Sequence, residues 1–320
     1  MNQLKITVLT SSSAALPLVA LLAQRQQLAG VLLLGQWDLE KQQIEAQLRH
    51  SDIPVAYHAP DDTDRAISAL SAWESTLGIV FCCGEKVPEA VAQTPAHGMI
   101  NLHASALPEY RGPDPIYWQI RNGETQLMLT AHQLEDTFDT GPILAQRPVN
   151  IGPHDTSHRV FNTLLQEIPP LLDSLLDQLQ HQGNLQGQAQ QGTAQHTAPR
   201  VSEEDLLINW HQLSDQQLCD QVRAGNPQYG GARLVLGQGH AQLLQASPVN
   251  LPDYGVAPGT ITHMSPEQGL IVALQSGSIR LDIIANNDGV FDGYRFAHCY
   301  QLTAGMRFQS SGKAISKTRG

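Results

Sequence analysis

The chain has 320 residues, 41% of them hydrophobic and 15% charged, with a formal net charge of −11. That length suits about two domains, and the composition excludes a disordered, highly charged chain. The acidity argues against broad, nonspecific nucleic-acid binding, which depends on neutralising phosphates.

In chain order, KITVL (5–9) and GVLLL (30–34) read as buried strands, with helical apolar spacing from Ala14 to Gln27 between them. Pro17 sits near the start of that helix, where proline is tolerated. Gly35 to Asp52 is helix-like and of mixed charge. Pro54–Tyr57 and Gly78–Cys82 are two more short apolar runs, with a helix-like stretch from Asp64 to Leu77 between them. Gly98–His103 is a fifth strand. Alternation of this kind predicts a parallel sheet covered on both faces, with ligands beyond the carboxyl ends of the strands. Residues 125–133 and 142–151 read as further strands. Thr156 to about Leu179 is an amphipathic helix that Pro169–Pro170 should bend or interrupt.

The segment 183–200 is rich in Gln and Gly and reads as an exposed, flexible linker. It separates a domain over 1–182 from a smaller one over 201–310, with 311–320 as a flexible tail. Ser202–Asp205 has the acidic character of a helix start. After Pro227 the pattern is β-like, over Ala232–Leu236, Ala241–Ala246, Gly259–His263, Gly269–Leu274 and Ser278–Ala285. No apolar run approaches the roughly 18 residues needed to cross a bilayer, and MNQLKITVLTSSS lacks the features of a signal peptide. The chain is expected to be cytoplasmic, with no membrane partner. Its four cysteines form no CxxC pair and read as free thiols, Cys82 and Cys83 within an apolar run.

Chemistry concentrates between Asn101 and Gly141. Alternate residues of a strand share a face, so Asn101 and His103 should enter one pocket, with Leu102 turned into the core. Asn can hydrogen-bond a developing oxyanion, and His can exchange a proton near neutral pH. Asp139, in a Thr-Phe-Asp-Thr-Gly loop, would orient His103 and raise its pKa. A metal held by His132 and Asp136 with His103 and Asp139 is disfavoured, because Asn101 and the surrounding motif need none.

The whole block resembles the formyltransferases that use 10-formyltetrahydrofolate. Asn101, His103, Ser105, Leu107, Pro108, Tyr110, Arg111, Gly112 and Pro115 match that family's signature in order. Trp118, Asn122–Gly123, Thr130, His132 and Asp139–Gly141 follow. Ile208–Trp210, Val222–Ala224, Gly231–Ala232 and Pro258–Thr260 look like the C-terminal module of methionyl-tRNA and amino-sugar formyltransferases. The resemblance implies an α/β fold, with a Rossmann-like, mostly parallel sheet in the N-terminal domain and a small, mostly β, OB-like C-terminal domain. It implies that an acceptor amine attacks the formyl carbon while Asn101 and protonated His103 stabilise the oxyanion and Asp139 positions His103. It further implies a folate site at Phe81, Cys82, Cys83, Gly84, Val87, Glu135 and Asp136, walled by Arg111, Gly112 and Pro115, with no metal. Thr10, Ser11, Ser12 and Ser105 would meet the acceptor.

Two departures bear on that acceptor. Thr10-Ser11-Ser12-Ser13 stands where relatives carry Gly-Thr-Pro or Gly-Ser-Pro, so the contacts of this loop should differ. The stretch from Gly35 to Asp52 lacks the basic run with which methionyl-tRNA formyltransferases reach the acceptor stem. Residues 201–310 carry ten Asp/Glu, five Arg and no Lys, a poor surface for holding tRNA. The favoured expectation is formyl transfer to a small or peptide-like amine, such as a nucleotide-linked amino sugar. The alternatives are methionyl-tRNA formylation, formyl-folate hydrolysis and a catalytically silent binding module.

Overall fold

The computed structural model describes residues 4–59, 62–237, 239–252 and 254–310. The chain divides into two compact units. The first takes the chain up to Pro113 together with Leu127–Val149 and Thr163–Thr197, and the second takes Asp114–Gln126, Asn150–Asn162 and the chain from Ala198.

The first unit is built on a seven-stranded sheet. Its strands are β1 (Ile6–Thr10), β2 (Leu28–Leu34), β3 (Val55–His58), β4 (Leu77–Val80), β5 (Met99–His103), β6 (Gln126–Gln133) and β7 (Ile143–Asn150), in the order β3-β2-β1-β4-β5-β6-β7. The first five pair in parallel, and β5 pairs with β6 antiparallel. All nine residues of β1 and β4 are buried, as a strand covered on both faces requires. The covering helices are α1 (Leu16–Gln24), α2 (Leu39–Leu48), α3 (Thr63–Ala72) and the single turn α4 (Glu89–Ala92). Leu9, Leu32, Leu34, Leu70, Val80 and Val91 pack together between these layers.

The short helix α5 (Pro115–Arg121) precedes β6, and α6 (Ser157–Gln182) follows β7. Pro169–Pro170 do not interrupt α6, which is assigned continuously through them. Two backbone donors are lost there. The buried stripe of Val160, Leu164, Ile168, Leu171, Leu172, Leu175 and Leu179 repeats at helical spacing on both sides of the prolines and holds the helix together.

The second unit has an antiparallel sheet of β8 (Ala232–Leu236), β9 (Gly239–Val249), β10 (Ile261–Ser265), β11 (Gly269–Ala273), β12 (Ser278–Asn286) and β13 (Gly289–Asp292). Its order is β10-β11-β12-β9-β8, with β13 on β12. Helices α7 (Glu203–Leu206), α8 (Asp215–Gly225) and α9 (Gly293–Cys299) complete it. Trp210 and Phe308, both fully buried, stack at 5.8 Å in its core. Ser202 and Asp205 form a capping box at α7, the reciprocal arrangement that satisfies two orphan donors. That helix start matches the one expected from the sequence, whereas α8, α9 and β13 are additional elements.

The segment 183–200 is exposed over most of its length, yet it is anchored. Gln188 exchanges two backbone hydrogen bonds with Ile143, each 2.8 Å, and the His196 carbonyl accepts from the Tyr110 N–H at 3.0 Å. Residues 311–320, expected to be a tail, lie outside the described residues. No helix among the described residues is long and apolar enough to cross a membrane.

Candidate active site

Strand register builds the site. In the β5–β6 pairing Asn101 lies opposite His132 and His103 opposite Thr130. Directly opposed residues share a face at close range, and Asn101 Nδ2 donates to His132 Nε2 at 3.0 Å. His132 Nδ1 lies 2.8 Å from the Gln133 carbonyl oxygen. A carbonyl only accepts, so Nδ1 carries the proton and Nε2 offers its lone pair to Asn101. The second Asn101 N–H goes to Asp139 Oδ1 at 3.2 Å.

Asp139 comes from the loop between β6 and β7, where its φ is +57°. Its Oδ1 stands 3.5 Å from His103 Nδ1 and 3.6 Å from His132 Nε2. Its Oδ2 accepts from the Gly112 N–H at 3.0 Å. Burial by itself would raise the Asp139 carboxyl. The imidazoles of His132 and His103 and the Gly112 N–H outweigh that and hold it below the usual carboxylate range. His103 is 6% exposed, and its Nε2 lies 3.0 Å from the Tyr110 carbonyl oxygen. Burial pushes the His103 pKa below its ordinary value, although Asp139 and the Tyr110 carbonyl pull it upward. This corrects the sequence-based expectation that Asp139 raises the His103 pKa. A carboxylate 3.5 Å away without a short hydrogen bond does not offset the loss of water around the ring. The resting His103 is therefore neutral, with Nε2–H on the Tyr110 carbonyl.

The other anticipated residues fall into three groups. Thr10, Ser11, Cys82 and Gly84 meet where β1 and β4 adjoin, the switch point at which the order of crossovers reverses. Thr10 Oγ1 donates to the Cys82 carbonyl at 3.2 Å, and the Gly84 N–H to Ser11 Oγ at 3.1 Å. Cys82 has a φ of +50° there. Burial raises the Cys82 thiol to about 12 and pushes the Cys83 thiol up as well, so both stay protonated. Phe81 is buried at the end of β4. Ser12 and Ser13 turn aside to Glu40, whose Oε1 accepts from Ser12 Oγ at 2.8 Å, the Ser13 N–H at 2.8 Å and Ser13 Oγ at 2.9 Å.

Arg111 and Gly112 surround Asp139 from behind. Arg111, expected to wall the site, donates from Nε to the Asp139 carbonyl at 3.0 Å and so braces the loop. Ser105 is fully buried and gives its hydroxyl to the Glu109 carbonyl at 2.6 Å. It shapes the turn leading to Tyr110, and its hydroxyl proton is engaged there.

Val87, Glu135 and Asp136 line a cavity of about 530 Å3, together with Met99, Leu134 and Thr137 among others. Asp136 also pairs with Lys86 at 2.6 Å. Pro115 opens α5, which clusters with the second unit. Among the described residues no group of three or more His, Cys, Asp or Glu is arranged to hold a metal ion. His132, weighed from the sequence beside His103 and Asp139 as a metal ligand and as part of the Thr-x-His motif, meets Asn101. One member of the Asp139 surroundings was not anticipated. Gln190, which donates from Nε2 to the carbonyls of Asp139 at 2.8 Å and Gly141 at 2.9 Å, had no signal within its low-complexity surroundings.

A mostly parallel sheet with an Asn–His–Asp cluster at its carboxyl edge, followed by an antiparallel module, defines a group-transfer enzyme of the formyltransferase kind. The formyl transferase family pattern matches residues 3–172, and that of the formyl transferase C-terminal domain matches residues 200–290. The chain belongs to the formyl transferase family. It is 34% identical over 217 residues to the methionyl-tRNA formyltransferase of Synechococcus sp. (strain JA-3-3Ab), covering 67% of this chain and 66% of that protein. The fold is similar to that of HypX from Aquifex aeolicus in complex with tetrahydrofolic acid. That match has a TM-score of 0.61 and 15% identity over 95% of this chain and 48% of HypX, so the chain spans about half the HypX length. It is also similar to an N-formyltransferase from Helicobacter canadensis in complex with folinic acid and dTDP-3-aminofucose. There the TM-score is 0.62 and the identity 16%, over 90% of this chain and 100% of that one.

Proposed function

We propose that the protein transfers a formyl group from 10-formyltetrahydrofolate to the primary amine of a small acceptor. The observation that carries this reading is the convergence of Asn101, neutral His103 and Asp139 within 3.5 Å of shared partners. The cavity of about 530 Å3 is of the size that holds a drug-sized ligand. It has apolar walls at Val87, Met99 and Leu134, which suit the ring system of a folate, and its lining includes Glu135–Thr137 of the loop that carries Asp139.

In this reading the acceptor nitrogen attacks the formyl carbon, and the carbonyl π pair moves onto oxygen. Asn101 donates to that oxygen. Neutral His103 accepts the proton released by the attacking nitrogen at Nδ1, and Asp139 stabilises the imidazolium that results. The tetrahedral intermediate collapses as the C–N bond to the donor breaks, and the leaving nitrogen takes up the proton.

The acid limb of the rate follows from this. With both substrates saturating, kcat should be level near neutral pH and should fall as pH drops through the His103 pKa, which burial places below 6.5. Protonation removes the base, so the sign is loss toward acid. A midpoint above 7 in a kcat–pH profile would overturn the neutral-imidazole step.

Formylation of methionyl-tRNA is the second reading, favoured by the relatives of about 30% identity. Against it, the segment after β2 presents Asp38, Glu40 and a Lys41 whose ammonium is buried against Asp38 at 2.8 Å. The test supplies donor with a labelled formyl group alongside methionyl-tRNA, nucleotide amino sugars and a small-amine extract in parallel. Label on a small amine supports the proposal, and label on the tRNA transfers it to the second reading. Free formate in every tube replaces both with hydrolysis.

A further inference from the structure

We propose that Gln190, in the Gln/Gly-rich segment, is a positioning residue for formyl transfer that acts through the peptide of Asp139. The inference rests on the function proposed above. Gln190 is half-buried in a segment whose neighbours are exposed. Its single side-chain nitrogen donates to two carbonyls that bracket Thr140, those of Asp139 at 2.8 Å and Gly141 at 2.9 Å. Its Oε1 accepts from Arg111 Nη2, and Arg111 Nε donates to the same Asp139 carbonyl at 3.0 Å. One peptide oxygen therefore receives two side-chain donors, and the two donors are joined to each other.

That investment of donors has a physical reason. A non-glycine residue at φ +57° sits in a sparsely populated conformation that persists only when its surroundings over-determine it. The orientation of the Asp139 peptide fixes the direction in which its Cα–Cβ bond leaves the chain. Swinging the carbonyl away would carry the carboxylate off the Gly112 N–H, Asn101 and His103 together. Gln190 is itself seated on both sides, by the Gln188–Ile143 backbone pair and by the bridge from Thr197 to Arg111. The segment is a strap that holds the acidic group of the site from behind, without touching the reacting atoms.

The test compares wild type with Gln190→Ala, which loses every bond, and Gln190→Glu, which can still accept from Arg111 but cannot donate. Gln188→Ala serves as the control, because its exposed side chain lies outside the network. Misplacing a reacting group by about 1 Å costs on the order of 10²-fold. Both Gln190 variants should lose roughly ten- to a hundredfold in kcat, with the KM for donor and acceptor changed less than about threefold. Their acid limb should be displaced, their thermal transition near that of wild type, and Gln188→Ala indistinguishable from wild type. A wild-type kcat and acid limb in Gln190→Ala overturns the inference, as does an equal loss in Gln188→Ala. If the wild-type protein transfers no formyl group, the proposed function fails by itself. The positioning role is then read without substrates, from the NMR titration of the His103 imidazole. It should move between wild type and Gln190→Ala, and an unmoved titration would overturn the inference.

Discussion

Asp139→Asn is expected to lower kcat by on the order of 10²-fold or more while leaving the fold intact. The substitution is nearly isosteric, and asparagine is among the few residues that accept the left-handed conformation, so the φ of +57° at this position presents no new strain. What changes is charge and donor pattern. The imidazolium formed during transfer would lose an anion 3.5 Å from Nδ1, and each factor of ten in rate corresponds to about 1.4 kcal/mol. The new amide must also turn either its oxygen or its nitrogen toward Asn101, whose own N–H already points there. Turnover with labelled formyl donor, alongside the thermal transition, measures both parts. Wild-type turnover in a folded Asp139→Asn protein would remove the carboxylate from the mechanism.

Gly141→Ala is expected to damage stability and turnover together. A Cβ at this position would lie 1.9 Å from the Gln133 carbonyl oxygen, 2.9 Å from its carbon and 3.4 Å from Glu135 Cγ. The first distance is a collision with backbone at the end of β6, where no side chain can swing aside. Relief requires the loop to move away from the strand, stretching the bond from the Gln133 N–H to the Pro142 carbonyl, now 2.9 Å. Forced backbone rearrangement of this kind costs roughly 2–4 kcal/mol. Because Asp139 shares the loop, kcat should fall more than about tenfold even in the fraction that remains folded. A denaturant midpoint and a specific activity within error of wild type would show that the loop has slack the structure does not display.

The strands of the first unit were legible because parallel strands covered on both faces are continuous apolar runs, as in Ile6–Thr10 and Leu77–Val80. The Asn101–His103 face followed from the two-residue repeat of a strand. Register did not. Which residue of β6 faces Asn101 depends on a pairing between segments some thirty residues apart, so the partnership of His132 with Asn101 was not legible. The protonation of His103 was misjudged for a similar reason. Its carboxylate neighbour was visible in the motif, whereas the burial that dominates it arises from Tyr110 and the folded-over turn. The bond from the Ser105 hydroxyl to the Glu109 carbonyl was not legible either, because it depends on how the turn to Tyr110 folds. Gln190 lay in a stretch whose composition resembles a spacer, and composition says nothing about one amide among many. In the second unit, the Ser214–Gln217 capping box marks the start of α8 in the sequence itself. The Gly289–Asp292 strand is too short and too exposed to show alternation.

Both N–H bonds of Asn101 are occupied in the structure, one by an imidazole and one by the Asp139 carboxylate. A neutral formyl oxygen is a weaker acceptor than a carboxylate, so an arriving aldehyde-like carbonyl has little power to displace Asp139. An oxygen gaining negative charge competes on nearly equal terms. On the proposed mechanism the exchange of partners would be postponed until the carbon has begun to change from planar to tetrahedral, when Asp139 would also be drawn toward a newly charged His103. Asn101 would then act as a latch that opens only along the reaction coordinate, contributing to the speed of the step and almost nothing to the affinity that precedes it.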